Sequence, residues 1–142
     1  MPKQMKRFHQ EVYFPENSTE LLEGFIEEVK RNFPMTFSLH SVDHIIGLTD
    51  EYGNFLWKSL VKIIKNSPLS TEKIFEFYQN HETEKVTKAC FRFANTDFPM
   101  DIVMVISSTS TIITLYLVNK NDTHRNLNKN LYIRKVKNNA KR

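Results

Sequence analysis

Two histidines four residues apart, His40 and His44, are the residues of this chain best suited to proton transfer. In a helix, side chains at positions i and i+4 lie on one face, so both imidazoles would point toward the same ligand. Imidazole gains and loses a proton near neutral pH, as general acid–base chemistry requires. A zinc site is disfavoured because HSVDH lacks the glutamate of the HExxH pattern. Two interpretations remain open: the histidines could act as an acid–base pair, or they could be exposed side chains at a capped helix start without a catalytic role.

A second group of polar side chains is predicted on one face of a β-sheet. Thr114 and Tyr116 alternate with apolar residues along one strand, and Lys88 and Arg92 share a face of another. Arginine binds phosphate through two parallel hydrogen bonds and stabilises developing negative charge, so this face suits a phosphate group. The alternative is an ordinary solvated sheet face.

A third group lies near the C-terminus. His124 and Arg125 fall in a polar stretch predicted to be a loop, and Arg134 follows in a short apolar segment. Loops often carry binding residues, which makes these side chains candidates for RNA contact. An incidental histidine in a surface loop is the alternative.

Helices are predicted before the sheet. Asn17 and Glu20 have the spacing of a capping box, and an apolar stripe follows at helical spacing until Pro34. A second helix is predicted with Ser41 as its N-cap and with a break at Gly47 and the stretch 52–54. The run from Phe55 to Ile64 predicts a third helix.

The remaining segments predict strands. Phe8 to Phe14 is interpreted as a short edge strand, and residues 131–136 as a last strand. Between them the strand patterns cover residues 73–78, 86–94, 102–106 and 112–118, and in the last of these Ile113, Leu115 and Leu117 are expected on one face. This order predicts an α+β fold, with N-terminal helices packed on a four- to five-stranded, mainly antiparallel sheet.

Composition limits the functional classes. We expect one domain over residues 1–142, with basic, frayed ends at about 1–7 and 137–142. With 3 glycines the chain has neither a GxGxxG nor a GxxxxGK[ST] motif, and neither a cofactor nor a metal is expected. The single Cys90 excludes an intrachain disulfide and fits the cytoplasm, and no apolar run is long enough to cross a membrane. The net charge of +4 is compatible with an anionic partner.

The joint arrangement resembles a known group of small endoribonucleases. A serine-capped helix start with His40 and His44 precedes the apolar run Asp101–Ile106, a short turn and the strand Ile113–Tyr116. This order is similar to the barnase, EndoU, colicin and RelE-like superfamily, including its RegB-like phage members, over about residues 36–118. The resemblance implies a RelE-like fold, a toxin or phage origin, and no metal.

The resemblance also implies a reaction and partners. The ribose 2′-OH would attack the adjacent phosphate and leave a 2′,3′-cyclic phosphate, with His40 and His44 as acid and base. Arg92 or Lys88 would clamp the phosphate, and Thr114 and Tyr116 would position it. The substrate would be RNA, free or on the ribosome, and a protein antidote would be a further partner.

A non-catalytic alternative stays open. The family usually has an arginine just after its histidine helix, and residues 47–51 here contain no basic residue. The same fold could instead serve a binding or inhibitor protein that grips an antidote or a host protein through an apolar surface. The residues alone therefore leave open whether the chain is an enzyme.

Overall fold

The computed structural model describes residues 5–53, 58, 60–62, 69–94, 100–122 and 128–134. Within these ranges the strands are β1 (Met5–His9), β2 (Thr36–Phe37), β3 (Ile74–Asn80), β4 (Val86–Phe93), β5 (Met100–Ser107) and β6 (Thr111–Asn119). The helices are α1 (Ser18–Arg31) and α2 (Leu39–Tyr52), with short 3₁₀ turns at Thr71–Lys73 and Lys129–Leu131. None of the helices described is long and apolar enough to span a membrane.

The strands form one mixed sheet in the order β1-β3-β4-β5-β6-β2. All neighbouring pairs are antiparallel except β2 and β6, which run parallel. The α+β class predicted from the sequence is confirmed. The six strands exceed the expected four to five, because the two-residue edge strand β2 was not predicted from the sequence.

Both ends of the chain differ from expectation. Residues 5–7, assigned to a frayed end, belong to β1, which ends at His9 rather than continuing to Phe14. The predicted strand at 131–136 is not formed by its described part: Leu131 ends a 3₁₀ turn, and the backbone N–H of Ile133 donates to the carbonyl of Arg7 at 2.8 Å. Residues 137–142 lie outside the described ranges.

Helix α1 begins where the capping residue predicts, one position after Asn17, although the Asn17 side chain makes no capping hydrogen bond. Its apolar stripe is buried against one face of the sheet, here called the inner face. The inner face contributes fully buried aromatic residues such as Phe77 and Phe91. Burial of each such ring stabilises the fold by about 1.5–3 kcal/mol.

Helix α2 is capped three residues earlier than predicted, and it continues through Gly47 to Tyr52. Ser38 caps it: the Ser38 hydroxyl accepts from the backbone N–H of Ser41 at 3.1 Å, and Ser41 itself is buried in the first turn. Ile45 and Leu48 pack in the core on either side of Gly47. This packing outweighs the helix penalty of glycine, which is about 1 kcal/mol.

The helix predicted over 55–64 lies partly outside the described residues. Positions 58 and 60–62 are helical, with Leu60 fully buried and Lys58 and Lys62 exposed. The predicted inward and outward sides of this segment are therefore confirmed at these three positions.

The hairpin of β5 and β6 contains a bulge that the alternation pattern missed. Val105 pairs with Thr114 and Ile106 with Ile112, so Ile113 is an extra residue in β6. The extra residue resets the alternation, and Ile112 joins Leu115 and Leu117 at the core in place of Ile113. Thr114 and Tyr116 lie on the opposite side of the sheet, here called the outer face.

Candidate functional site

The edge of β6 is where α2, β2 and the sheet meet. Strand β2 pairs only with Thr111 and Ile112, so the backbone of β6 beyond that point needs other partners. The Ser38 hydroxyl donates to the carbonyl of Ile113, and Nδ1 of His44 lies 3.0 Å from the carbonyl oxygen of Leu115. Side chains from the start of α2 thus complete the hydrogen bonding of this strand edge.

The bond to Leu115 determines the tautomer of His44. A carbonyl oxygen only accepts, so Nδ1 of His44 carries the hydrogen, and the Nε2 of the neutral ring is then an acceptor. The ring of His40 lies beside it, with a centroid distance of 4.5 Å, and both side chains are exposed. These two residues, called the edge histidines below, present one nitrogen lone pair of fixed orientation next to a second imidazole.

Thr114 and Tyr116 flank Leu115 in β6, with their side chains on the outer face. Tyr116 is 37% exposed. Partial burial, with smaller contributions from Cys90 and Glu76, raises the pKa of Tyr116 to about 12. Its phenol therefore stays protonated at neutral pH and can donate a hydrogen bond to an anion.

Arg92 lies further along the outer face and has several protein partners. Its Nε donates to Asp101 at 2.9 Å, and its terminal nitrogens donate to the carbonyls of Asp122 at 2.8 Å and Asn119 at 3.0 Å. Lys120 also donates to Asp101, at 3.0 Å. Arg92 therefore fixes the end of β6, and a phosphate would have to compete with these bonds.

The pKa of Asp101 agrees with a structural role for Asp101, Arg92 and Lys120. Burial opposes ionisation of the carboxyl, but the hydrogen bonds from Lys120 and Arg92 outweigh it and lower the pKa of Asp101. The carboxylate is thus charged at neutral pH and paired with two cations.

The other predicted contact residues are dispersed. The Lys88 ammonium lies 4.4 Å from the ring centroid of Tyr78 and forms no ion pair with the described residues. Arg134 donates to Asn130 at 2.7 Å in the segment 128–134. His124 and Arg125 lie outside the described ranges. The structure brings the edge histidines together and places Thr114 and Tyr116 on the adjoining strand, whereas Lys88, Arg92 and Arg134 lie on other segments.

The sequence interpretation missed a buried cluster on the outer face, formed by Arg7, Glu76 and Tyr132 and called the Glu76 cluster below. Glu76 is 7% exposed, and its two oxygens accept from Arg7 at 3.0 Å and from the Tyr132 hydroxyl at 2.9 Å. The Arg7 guanidinium lies between the rings of Tyr78 and Tyr132, at 4.9 and 4.8 Å. This carboxylate is bonded on both oxygens.

His9 borders the Glu76 cluster and is almost fully buried, with 1% exposure. Its ring packs edge-on against Phe75 and Tyr132, and its Nδ1 accepts from the backbone N–H of Glu11 at 3.0 Å. His9 is thus enclosed by the fold, in contrast to the edge histidines.

One signal in the sequence points to the Glu76 cluster. Glu76 lies between Phe75 and Phe77 in an apolar strand, and a charge in such a strand needs a partner if it is buried. The partner cannot be identified locally, because Arg7 comes from β1, 69 residues earlier.

Cysteine nucleophilic catalysis and metal binding find little support at the described residues. Burial, with a contribution from Glu76, raises the pKa of the Cys90 thiol to about 12, so it is not a thiolate nucleophile. Within the described ranges, no group of three or more His, Cys, Asp or Glu side chains is arranged to hold a metal ion.

Comparison with known proteins adds no relative. No family model, curated protein or solved structure matches this chain.

Proposed function

We propose that this chain is a metal-independent endoribonuclease and that the edge histidines are its acid and base. The observation that carries the proposal is the bond between Nδ1 of His44 and the Leu115 carbonyl, which leaves Nε2 as an oriented proton acceptor beside His40. General bases in enzymes need this combination of a fixed ring, a free lone pair and access to the ligand.

The proposed reaction is intramolecular attack within RNA. Nε2 of His44 takes the proton of the ribose 2′-OH, and the 2′ oxygen forms a bond to the adjacent phosphorus. The bond from phosphorus to the 5′ oxygen breaks, and the protonated imidazole of His40 gives its proton to that leaving oxygen. The products are a 2′,3′-cyclic phosphate and a free 5′-OH.

The outer face supplies contacts to the phosphate in this proposal. Thr114 and Tyr116 flank the residue that holds His44, and the protonated phenol of Tyr116 is a hydrogen-bond donor. Lys88 provides a cation without a carboxylate partner among the described residues. Arg92 would contribute if it exchanged one backbone carbonyl for a phosphate oxygen, and Arg134 would contact another phosphate of the RNA. His124 and Arg125, which lie outside the described residues, stay predicted RNA contacts.

The proposal extends to the cellular role suggested by the resemblance. We further propose, as the resemblance implies, a RelE-like toxin or phage enzyme that acts on RNA in the cytoplasm. The α+β class is compatible with this proposal, but the fold differs from the expected order because β1 precedes the helices and the parallel strand β2 makes the sheet mixed. The substrate is RNA, either free or bound to translating ribosomes.

Incubation with end-labelled RNA in EDTA tests this function. We expect fragments ending in 2′,3′-cyclic phosphate, with rates lowered about 10²–10⁴-fold in His40→Ala and His44→Ala. His81→Ala is the matched control, because His81 is exposed in the β3–β4 turn, and its rate should equal that of the wild type. Thr114→Val should lower the rate less than the histidine variants do.

The contradicting result is equally clear. Intact RNA after incubation with folded wild-type protein, both as free RNA and on translating ribosomes, would rule out the endoribonuclease. Cleavage that persists in both histidine variants would place the activity elsewhere in the chain.

A second candidate function, protein binding, is favoured by one specific observation. Leu39, Val42 and Ile46 lie on one side of α2 and are 86%, 38% and 56% exposed. Exposed apolar side chains at helical spacing are typical of a surface that a partner covers.

A further inference from the structure

Ser38 connects the start of α2 to the edge of β6. Its backbone N–H donates to the carbonyl of Ile112 at 3.0 Å, and its hydroxyl donates to the carbonyl of Ile113. The same hydroxyl accepts from the backbone N–H of Ser41 at 3.1 Å, as the side chain of an N-cap does. A hydroxyl has one hydrogen and two lone pairs, so it can make both bonds at once. One side chain is therefore bonded to the strand and to the helix.

The bulge in β6 allows Ser38 to reach two consecutive carbonyls. In a regular strand, neighbouring carbonyls point to opposite edges. The carbonyls of Ile112 and Ile113 both accept from Ser38, so they point to the same edge. Ile113 is the extra residue of the bulge and has no paired residue in β5. The Ser38 hydroxyl thus satisfies a backbone acceptor that lies outside the β5–β6 ladder.

Two side-chain bonds attach α2 to the edge of β6, one from Ser38 to Ile113 and one from His44 to Leu115. The two acceptors are two residues apart, which is about 7 Å along a strand. The two donors are six residues apart, which is about 9 Å along a helix axis. The two spacings are similar, so a helix lying along the strand edge can make both bonds.

Core packing alone does not fix this alignment. Ile45 and Leu48 hold α2 against the core through apolar contacts, which are non-directional. A hydrogen bond needs a donor–acceptor distance of about 2.7–3.2 Å and a favourable angle, so a small slide of the helix would break the bond of His44. His44 is exposed, and water then replaces the Leu115 carbonyl as the partner of its Nδ1.

We propose that Ser38 is a positioning residue for His44. Its bond to Ile113 fixes α2 along the edge of β6, and this alignment places the Leu115 carbonyl where it selects the Nδ1–H tautomer of His44. Ser38 has no part in the proton transfers themselves. Its effect on the tautomer is a property of the folded chain, whereas its effect on RNA cleavage rests on the proposed nuclease activity, so the two are measured separately.

The variant Ser38→Asp separates capping from positioning. Aspartate caps helices about as well as serine does, so the bond from the backbone N–H of Ser41 is kept. An ionised carboxylate only accepts, so it has no hydrogen for the Ile113 carbonyl. Ser38→Thr is the conservative variant, because it keeps a hydroxyl that can both donate and accept.

Ser41→Ala is the matched control for the loss of a hydroxyl from the same turn. The Ser41 hydroxyl donates to the Ser38 carbonyl at 2.8 Å, and it has no bond to β6 within the described part of the chain. Ser41 is fully buried, so we expect this variant to be less stable in urea than the wild type. The tautomer of His44 should nevertheless stay unchanged.

Heteronuclear NMR of the nitrogen-labelled chain reads the tautomer directly, because a protonated ring nitrogen and one with a lone pair differ widely in chemical shift. Spectra are recorded in alkaline buffer, and His44→Ala assigns the His44 signals by their disappearance. We expect hydrogen on Nδ1 of His44 in the wild type, Ser38→Thr and Ser41→Ala, and a shift of the hydrogen toward Nε2 in Ser38→Asp. Exposed His81 in the β3–β4 turn is the reference, with the same shifts in every variant.

RNA cleavage gives the second readout. Misplacing a catalytic group by about 1 Å can cost about 10²-fold in rate, so Ser38→Asp should lower kcat by about 10–10²-fold. KM should stay within about twofold of the wild-type value, because the residues that contact RNA are unchanged. Ser38→Thr should retain most of the wild-type kcat, and Ser41→Ala should cleave as the wild type does.

Two results would overturn the positioning role. The first is an unchanged His44 tautomer in folded Ser38→Asp, and the second is an equal loss of the tautomer in Ser38→Asp and Ser41→Ala. If Ser38→Asp does not fold, Ser38→Ala, which removes only the hydroxyl oxygen, replaces it with the same expectations for the tautomer. A wild-type protein that leaves RNA intact, together with the expected tautomer change, would support the positioning role and contradict only the nuclease.

Discussion

The edge histidines and the Glu76 cluster are two groups of titratable residues on one sheet, and they are built in opposite ways. The edge histidines are exposed, and Nδ1 of His44 is bonded to a backbone carbonyl. In the Glu76 cluster the carboxylate is buried and both of its oxygens accept from side chains. Groups that satisfy one another hold the strands together, whereas a ring fixed at one nitrogen and open at the other can act on a ligand.

The physical reason for this difference is desolvation. Removing a carboxylate and a guanidinium from water costs several kcal/mol per ion, and only close geometry with further hydrogen bonds offsets it. Glu76 meets that requirement through Arg7 and Tyr132. The edge histidines avoid it by staying in contact with water, so their substitution should affect stability little.

The largest expected effect is that of Glu76→Ala. It leaves the Arg7 guanidinium without its carboxylate in a partly buried site, and we expect a loss of about 3–5 kcal/mol in the free energy of unfolding. Urea unfolding measures it. Glu82→Ala is the control, because Glu82 is exposed in the β3–β4 turn and its loss should change stability by no more than about 0.5 kcal/mol. Equal stability of the two variants would mean that the Glu76 cluster does not hold the sheet.

An intermediate effect is expected at Asp101, and it depends on pH. The folded pKa of Asp101 lies below its usual value, so its ion pairs with Lys120 and Arg92 stabilise the fold above the usual pKa of aspartate. This contribution is lost as the pH falls toward and through the folded pKa. Asp101→Asn should be about 1.5–3 kcal/mol less stable than wild type at pH 7, since hydrogen bonds to a charged group are lost.

The measurement for Asp101 is the free energy of unfolding at pH 6 and at pH 3. The stability difference between wild type and Asp101→Asn should shrink at the lower pH. Lys120→Met, which removes one donor to the carboxylate, should show a smaller difference of the same sign. A gap that stays constant with pH would show that Arg92 is not held by an ionised Asp101, and would favour its role as a phosphate contact.

The smallest expected effect on stability is that of His44→Ala. The side chain is exposed and its bond to Leu115 is worth about 0.5–1.5 kcal/mol. Urea unfolding of His44→Ala beside Glu76→Ala makes the comparison directly. A loss at His44 as large as that at Glu76 would mean that the edge histidine is a structural element of the same kind as the buried cluster.

Local sequence patterns predicted the helices and strands in which the apolar residues follow a regular spacing. Period-2 alternation located β3, β4 and β6, and a continuous apolar run located β5. The alternation in β4 also placed Lys88, Cys90 and Arg92 opposite Phe91 and its core neighbours. The helical spacing of apolar residues located α1. These signals lie within about ten residues, so a single sequence contains them.

The features that were missed depend on distant parts of the chain. The parallel pairing of β2 with β6 and the ion pair of Arg7 with Glu76 join residues about 70 positions apart, and no local pattern encodes them. The bulge at Ile113 shifted the face of one residue in an otherwise regular strand. For the site, the spacing of His40 and His44 predicted their proximity, but the Leu115 carbonyl that orients His44 could not be found without the fold.

The bond from His44 to Leu115 spans 71 residues, and this has a consequence during translation. Domains are synthesised from the N-terminus at about 5–20 residues per second, so α2 leaves the ribosome several seconds before β6. Until β6 has emerged and paired, His44 has no carbonyl to select its tautomer. A nascent chain therefore carries both histidines without the oriented nitrogen, and the proposed activity would begin only once β6 has been made and has paired.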